Sequence, residues 1–566
     1  MDSMKNAKSQ PLSVTCWPRT EPFFMNPTRK TSFFSVSLSM SKIYYIILIT
    51  LTLTACSKIN DQNTLRMNLG TEPPTLDWNR LQDYNSMEIV ANIMVGLTRF
   101  STNDNGEAIS IPGCAISWDI SEDGLSYIFH LDPQAHWTDG QSVIAQHFID
   151  SYTRMLDPAT AAPYADLISM IDIHNSKAIN DHELLIKLKH PTPYFIYLSS
   201  SVITYPIRLD LINQFGSTWT EPTNLISNGP YKLKKWQHEY KILLERNDDF
   251  FQNKAKIKFL KYFMVSEQSS AYTLFLNDQF DWIDGRSIPA SEYKNLPEGE
   301  METFSVNRYL LLRNSFVGFN HKRKPLDNKL VRQAMSFAID RKLFTQIRSK
   351  GDVANNTWIP PSLASFLDTN KLANNFERKF KTQFRQDGFY PELARKLLAQ
   401  AGYPGGTNFP ELELAVPSRE DAKLQAATLQ AIWKRELNIK IKITTMEWKV
   451  FLARLRQDPP DLFRSNWGAD YPDPDSFMAL FTTNNPFNDV GFHNNEYDHL
   501  VKTAAETLDP KKRRALYTRA EEILSQEEAA IAPLYIDRQS IIKKPWVKNF
   551  VYNPMDLVFL DRVEKG

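Results

Sequence analysis

Only one run in this chain is strongly apolar: residues 43–55, IYYIILITLTLTA, thirteen residues without a charge that follow Lys42 and end against Cys56. A membrane-spanning helix needs about 20 apolar residues, whereas the apolar core of a cleaved secretory signal needs about 7 to 15, with small residues before the cut. The run therefore predicts an export signal, and everything beyond it has to fold in water. At 566 residues the chain is also too long for one hydrophobic core, because single cores stop growing near about 250 to 300 residues. Two or three domains are expected.

Composition narrows the function classes. The 66 basic and 65 acidic residues leave a formal charge of +1, with no excess of positive charge to grip a phosphate backbone, so nucleic acid is not expected as a partner. Of three cysteines, Cys16 and Cys56 lie at or before the end of the apolar run. Cys114 is left without a partner for an intramolecular disulfide and is expected to be a small buried hydrophobe. There is no phosphate loop, dinucleotide fingerprint, His-Glu-x-x-His pair or Cys-x-x-Cys. The GLSYI segment at 124–128 lacks the second glycine of a hydrolase elbow. His130 and His136 flank a strand and a turn without forming a cage for a metal. The chain is not expected to be an enzyme or to hold a cofactor or metal.

Periodicity indicates an α/β protein. Residues 411–445 alternate in ELELAV, change to a helical stripe of Leu429, Ile432, Trp433 and Leu437, and alternate again through Ile439, Ile441 and Ile443. Phe148, Tyr152 and Met155 recur at helical spacing, as do Leu330, Ala334, Phe337 and Ala338 after Asp327. Asp509-Pro510 supplies a cap and a first-turn proline for a helix whose stripe is Leu516, Ala520, Ile523 and Leu524. Strands and helices interspersed in this way predict several sheet-containing lobes.

Two resemblances add to this reading. Leu53-Thr54-Ala55-Cys56 resembles the bacterial lipobox, which implies acylation of Cys56 and a tether to a membrane surface. Translation is then expected to begin at Met40, with residues 1–39 a non-native extension and 40–55 the signal peptide. Beyond it, GTEPPTLD at 70–77, AISWDISEDGLSYIFHL at 115–131, HWTDG at 136–140, NGPY at 228–231, VRQA at 331–334, ARKLLAQAGY at 394–403 and WGADYPDPDSF at 467–477 stand in order. Together they resemble the bacterial extracellular solute-binding proteins of family 5, although Leu131-Asp132-Pro133 stands where that family commonly has a basic residue.

The family resemblance implies a periplasmic-binding-protein fold of type II with two hinged lobes and an inserted domain. Lobe I would comprise residues 57–95, 216–314 and 537–566, the inserted domain 96–215, and lobe II 315–536. It further implies a monomer that captures short peptides and hands them to the permease subunits of an ABC importer, in the periplasm or at the cell surface. Such a receptor has to match an ammonium, a carboxylate and the backbone between them. By family position Asp470 anchors the ammonium, Arg464 lines the carboxylate end and Trp467 covers a side-chain subsite. Tyr164, Gln82, Tyr84 and Tyr535 match further ligand-contacting positions. The wider family leaves muropeptide, dipeptide, glutathione, haem and metal-chelate cargo open. A surface lipoprotein acting as an adhesin or chaperone is the alternative from another class.

Overall fold

The computed structural model describes residues 62–566 apart from 104–105, 294 and 349–350. Cys56, the expected signal peptide at 40–55 and the expected extension at 1–39 lie outside the described residues. Among the described residues no helix is long and apolar enough to cross a membrane.

The strands in chain order begin with β1 (Thr64–Asn68), β2 (Thr98–Thr102), β3 (Ala108–Pro112), β4 (Ala115–Ile120), β5 (Ser126–Leu131), β6 (Lys177–Asn180) and β7 (Glu183–Lys187). There follow β8 (Tyr231–Gln237), β9 (Lys241–Arg246), β10 (Phe259–Phe263), β11 (Trp282–Asp284), β12 (Gly299–Glu300) and β13 (Ser305–Phe319). Then come β14 (Val353–Ala354), β15 (Leu412–Pro417), β16 (Ile441–Met446), β17 (Leu462–Gly468) and β18 (Ile531–Lys543). One twelve-stranded sheet runs in the order β16-β15-β17-β13-β18-β11-β1-β10-β9-β8, with β12 and β14 paired at its side. A separate four-stranded sheet, β4-β5-β7-β6, forms within the segment between β1 and β8.

The register of the large sheet decides where a ligand can sit. Strands β13 and β18 are antiparallel and unusually long. Their upper parts pair as Ser305 with Lys543 and their lower parts as Gly318 with Ile531. At the upper end β18 pairs with β11, which runs parallel to β1, itself parallel to β10. At the lower end β13 pairs with β17, which runs parallel to β15, itself parallel to β16. Following the directions through, β11 descends toward the middle of the ladder while β17 climbs toward it. The carboxyl ends of two parallel sets of strands therefore face each other across mid-ladder. There the β13–β18 pairing breaks: Leu310 pairs with Arg538, and pairing resumes at Asn314 with Ile536, so three residues of β13 stand against one of β18. Such bulges bend and twist a ladder.

Each half carries its own apolar packing. Strands β1, β10 and β8 share one buried cluster with the four-stranded sheet, through residues such as Leu65, Leu260, Phe129 and Trp137. In the other half Leu414, Leu429, Trp433 and Ile441 pack together, and the Trp433 indole donates to Met335 O at 2.9 Å. The helical stripes expected from sequence occur at Ala145–Leu156, Lys329–Phe337, Glu420–Leu437 and Pro510–Glu521. The helix at Lys329–Phe337 is capped by Asn328, whose side chain accepts from Leu330 N. Cys114 is fully buried, and its thiol donates to Val95 O at 3.4 Å. His130 Nε2 lies 2.8 Å from Asp119 Oδ2, and His136 Nδ1 lies 2.6 Å from Gln134 O.

Asp281, fully buried just before β11, ties distant parts of the first half together. It accepts from Arg66 Nη2 at 2.9 Å, from the Trp546 indole at 2.9 Å and from Lys565 Nζ at 3.2 Å. Removing one member of a buried ion group leaves the others uncompensated, which costs about 3 to 5 kcal/mol. Asp281→Asn is accordingly expected to lower the free energy of unfolding by about that amount, measured by urea titration. A change under about 1 kcal/mol, the range of an exposed ion pair, would show that the hub contributes little.

Candidate functional site

The facing carboxyl edges enclose a cavity of about 530 Å³. From the first half come Gln268, Gly285 and Arg286, beyond β10 and β11; from the second come Arg419 and Asp421, beyond β15, and Arg464 and Asn466 of β17. Leu311 and Arg313 at the bulge, with Asp537 and Arg538 opposite, form its floor. Ligands of open α/β sheets lie outside the carboxyl ends of strands, because loops and helix starts there can turn polar groups inward without breaking the ladder. In this chain both halves obey that rule toward the same space.

Arg464 is 5% exposed. Its Nη2 donates to Tyr535 Oη, its Nε has no hydrogen-bond partner, and no carboxylate among the described residues lies within ion-pair distance. Burial, reinforced by repulsion from Arg348, pushes its pKa down to about 10, so it stays charged at neutral pH. Tyr535 is fully buried behind it and donates to Gln425 Oε1 at 3.1 Å, while the Arg348 guanidinium lies 4.0 Å over its ring. Tyr535 thus positions two arginines and does not itself line the cavity.

Asp470 follows the end of β17. Its backbone N–H donates to Ser476 Oγ at 2.9 Å, and the Trp467 indole donates to Ser476 O at 2.7 Å, so one serine fastens both residues. The Trp467 ring is half-buried, 5.7 Å from Phe487. The Asp470 carboxylate has no hydrogen-bonding or ionic partner among the described residues, and burial pushes its pKa up to about 6. Tyr164 is its neighbour: burial first, then the charges of Asp470 and Asp83, hold that phenol above its ordinary value. The residue after Asp470, Tyr471, stacks on Tyr194 at 4.6 Å and donates to Asp475 Oδ2 at 2.9 Å. Arg513 makes a bidentate pair with Asp473 in the same buried group, at 2.6 and 2.7 Å.

Tyr84 opens the helix Tyr84–Ile93, which Asp83 caps by accepting from Ser86 N. The Arg286 guanidinium covers its ring at 3.5 Å. Tyr84 lines a second, smaller cavity of about 190 Å³ that shares Gln268 and Arg286 with the main one. Gln82, two residues earlier, is exposed and lines neither cavity. Trp448, just beyond β16, adds an aromatic face that is 49% exposed at a third strand end of the second half. Sequence reasoning passed over Arg286, Arg348, Arg419, Glu88 and Ser476. Of these, Arg419 could have been sought, since it lies between the predicted strand and helix of the β-α-β unit.

The family model for bacterial extracellular solute-binding proteins, family 5, matches residues 110–489. The chain belongs to this family. A periplasmic oligopeptide-binding protein of Salmonella typhimurium is 28% identical over 521 residues, covering 89% of this chain and 92% of that protein. Among solved structures, an oligopeptide-binding protein of Borrelia burgdorferi is 29% identical with a TM-score of 0.70, covering 89% of this chain and all of the other. The Escherichia coli murein tripeptide binding protein is 27% identical with a TM-score of 0.71, covering 89% and 98%. The fold of this family 5 protein is therefore the α/β, type II periplasmic-binding-protein fold. Family 5 is a family of substrate-binding proteins.

A carboxyl group whose pKa is raised by folding costs stability. The cost is absent below the unfolded value near about 3.9 and fully present above about 6. Asp470→Asn is therefore expected to stabilise the empty protein by about 1 to 3 kcal/mol at pH 7.5 and by almost nothing at pH 4. Denaturation at the two pH values checks this, and equal effects at both would contradict the burial of that carboxyl.

Proposed function

We propose that the protein captures short peptides outside the cytoplasm and delivers them to the permease of an ABC importer. One observation carries the reading: near one strand, β17, stand a half-buried acid with no base and a buried base with no acid, Asp470 and Arg464, which are not paired with each other. A peptide zwitterion supplies what each lacks. Its ammonium neutralises Asp470 beside Tyr164, and a carboxylate meets the fork of Arg464, with Arg348 beside it. Trp467, held by Ser476, offers an apolar face that tolerates many side chains. The names of relatives as oligopeptide- and murein-peptide-binding proteins support the same cargo class.

In this reading residues 57–95, 216–314 and 537–566 form one lobe, 315–536 the other, and 96–215 an inserted domain. The lobes close by bending at the mid-ladder bulge, in the manner of hinged binding proteins. Acyl chains on Cys56 hold the protein at a membrane surface, in the periplasm or facing outward, and it acts as a monomer without cofactor or catalysis.

Calorimetry with tri- and tetra-alanine tests the anchor. Asp470→Asn and N-acetylation of the peptide should each weaken binding by about two to three orders of magnitude, as loss of one partner of a buried charge pair does. The two losses should not add. Because only the Asp470 carboxylate attracts the ammonium, wild-type affinity should fall as pH drops below about 6. Affinity unchanged between pH 7 and 5 would place the ammonium elsewhere. For the tether, Cys56→Ala should release the protein from the membrane fraction into the soluble one, and retention would refute acylation there.

A further inference from the structure

The smaller cavity, of about 190 Å³, stands at the carboxyl ends of β1, β10 and β11 and shares Gln268 and Arg286 with the main one. Its volume is that of roughly six waters, room for one long side chain. The wall mixes apolar residues, Leu69 and Val265, with polar and charged ones. Glu88, on the helix Tyr84–Ile93, lines it although only 4% exposed. No arginine, lysine or histidine nitrogen among the described residues reaches its carboxyl within ion-pair distance. The nearby phenol of Tyr84 is buried and makes no hydrogen bond of ordinary geometry.

The cations nearby are already committed. Arg286 donates from Nε to Asp284 Oδ2 at 2.6 Å, and its Nη1 stands 3.7 Å from Asp556 Oδ2. Around Glu88 there are thus two other carboxylates, Asp284 and Asp556, with the guanidinium of Arg286 between them and that of Arg313 also 3.7 Å from Asp556 Oδ2. Neither guanidinium reaches Glu88 itself within ion-pair distance. An unpaired buried carboxylate is costly in its ionised form, and an entering ammonium or guanidinium would compensate that charge while filling the space.

We infer that this cavity is a side-chain subsite for a basic residue of the peptide, with Glu88 as its counter-charge. The inference rests on the peptide reading given above and adds a selectivity to it. Tyr84 on the same helix, Tyr262 on β10, Asp284 and Arg286 beyond β11, and Asp556 of the C-terminal segment are the titratable and charged groups that face Glu88. Burial, with Asp284 and Asp556 adding to it, pushes the Glu88 pKa up to about 8, so the empty site holds a proton at pH 7. An entering cation expels that proton.

The test is a scan in which each position of tetra-alanine is replaced in turn by lysine or by norleucine, its uncharged near-isostere. Binding is measured by calorimetry to the wild type and to Glu88→Gln. At one position lysine should bind the wild type at least about tenfold more tightly than norleucine, the lower end of what close charge pairs contribute. That ratio should collapse toward one in Glu88→Gln. If the variant does not fold, the wild type alone decides. At pH 7, titrations in buffers of different ionisation enthalpy should show proton release with the favoured lysine peptide and none with its norleucine counterpart. No position that distinguishes the two peptides, or a preference that survives Glu88→Gln, would overturn the subsite while leaving peptide capture intact. Failure of every peptide, tetra-alanine included, would overturn both.

Discussion

One pair of strands is shared by the two halves of this molecule, and the rest of the architecture follows from that. β13 and β18 run through both parallel strand sets, antiparallel to each other, with the first half's strands on one end and the second half's on the other. Because a ladder fixes direction as well as proximity, the attached sets necessarily point their carboxyl ends at one another. The space between them is therefore a product of connectivity. The loops that line it only decide its chemistry.

That chemistry is dominated by charges left incomplete. Elsewhere in the interior several ionic groups are closed: Asp281 gathers Arg66 and Lys565 along with the Trp546 indole, and Arg513 is clasped by Asp473. Glu521, fully buried, accepts from the backbone N–H groups of Trp358 and Ile359 at 2.7 and 2.9 Å. Arg464 in the main cavity, Glu88 in the smaller one and Asp470, which lines neither, are by contrast left without an ionic partner among the described residues. The cost is borne as reduced stability of the empty form.

Much of this was legible in the chain, for identifiable reasons. The β-α-β unit at 411–445 and the helix after Asp509 are specified by local periodicity and capping, which need no knowledge of the remainder. Where the local signal was degenerate the outcome was not readable. Asp327 and Asn328 can both cap a helix, and the register that lets Asn328 reach Leu330 N decided between them. The helix at 510–521 continues as a π-turned segment to Glu527, which the apolar stripe alone does not distinguish from regular helix. Sheet order was out of reach, because β1 pairs with a strand almost two hundred residues later. Arg286 and Glu88 were missed for the same reason: each looks like an ordinary surface charge until strands remote in sequence bring their ends together.

The mid-ladder bulge has a mechanical corollary. Any rotation of one half against the other that pivots on residues 311–313 and 537 moves each atom in proportion to its distance from that line. Arg313, Asp537 and Arg538 lie on it or beside it, and therefore travel little. Groups farther out along the strand ends sweep through longer arcs. Under such a rotation the interior of the cleft would be a fixed bearing and its outer lips the ends of levers, and a small angular change at three residues would open a wide mouth.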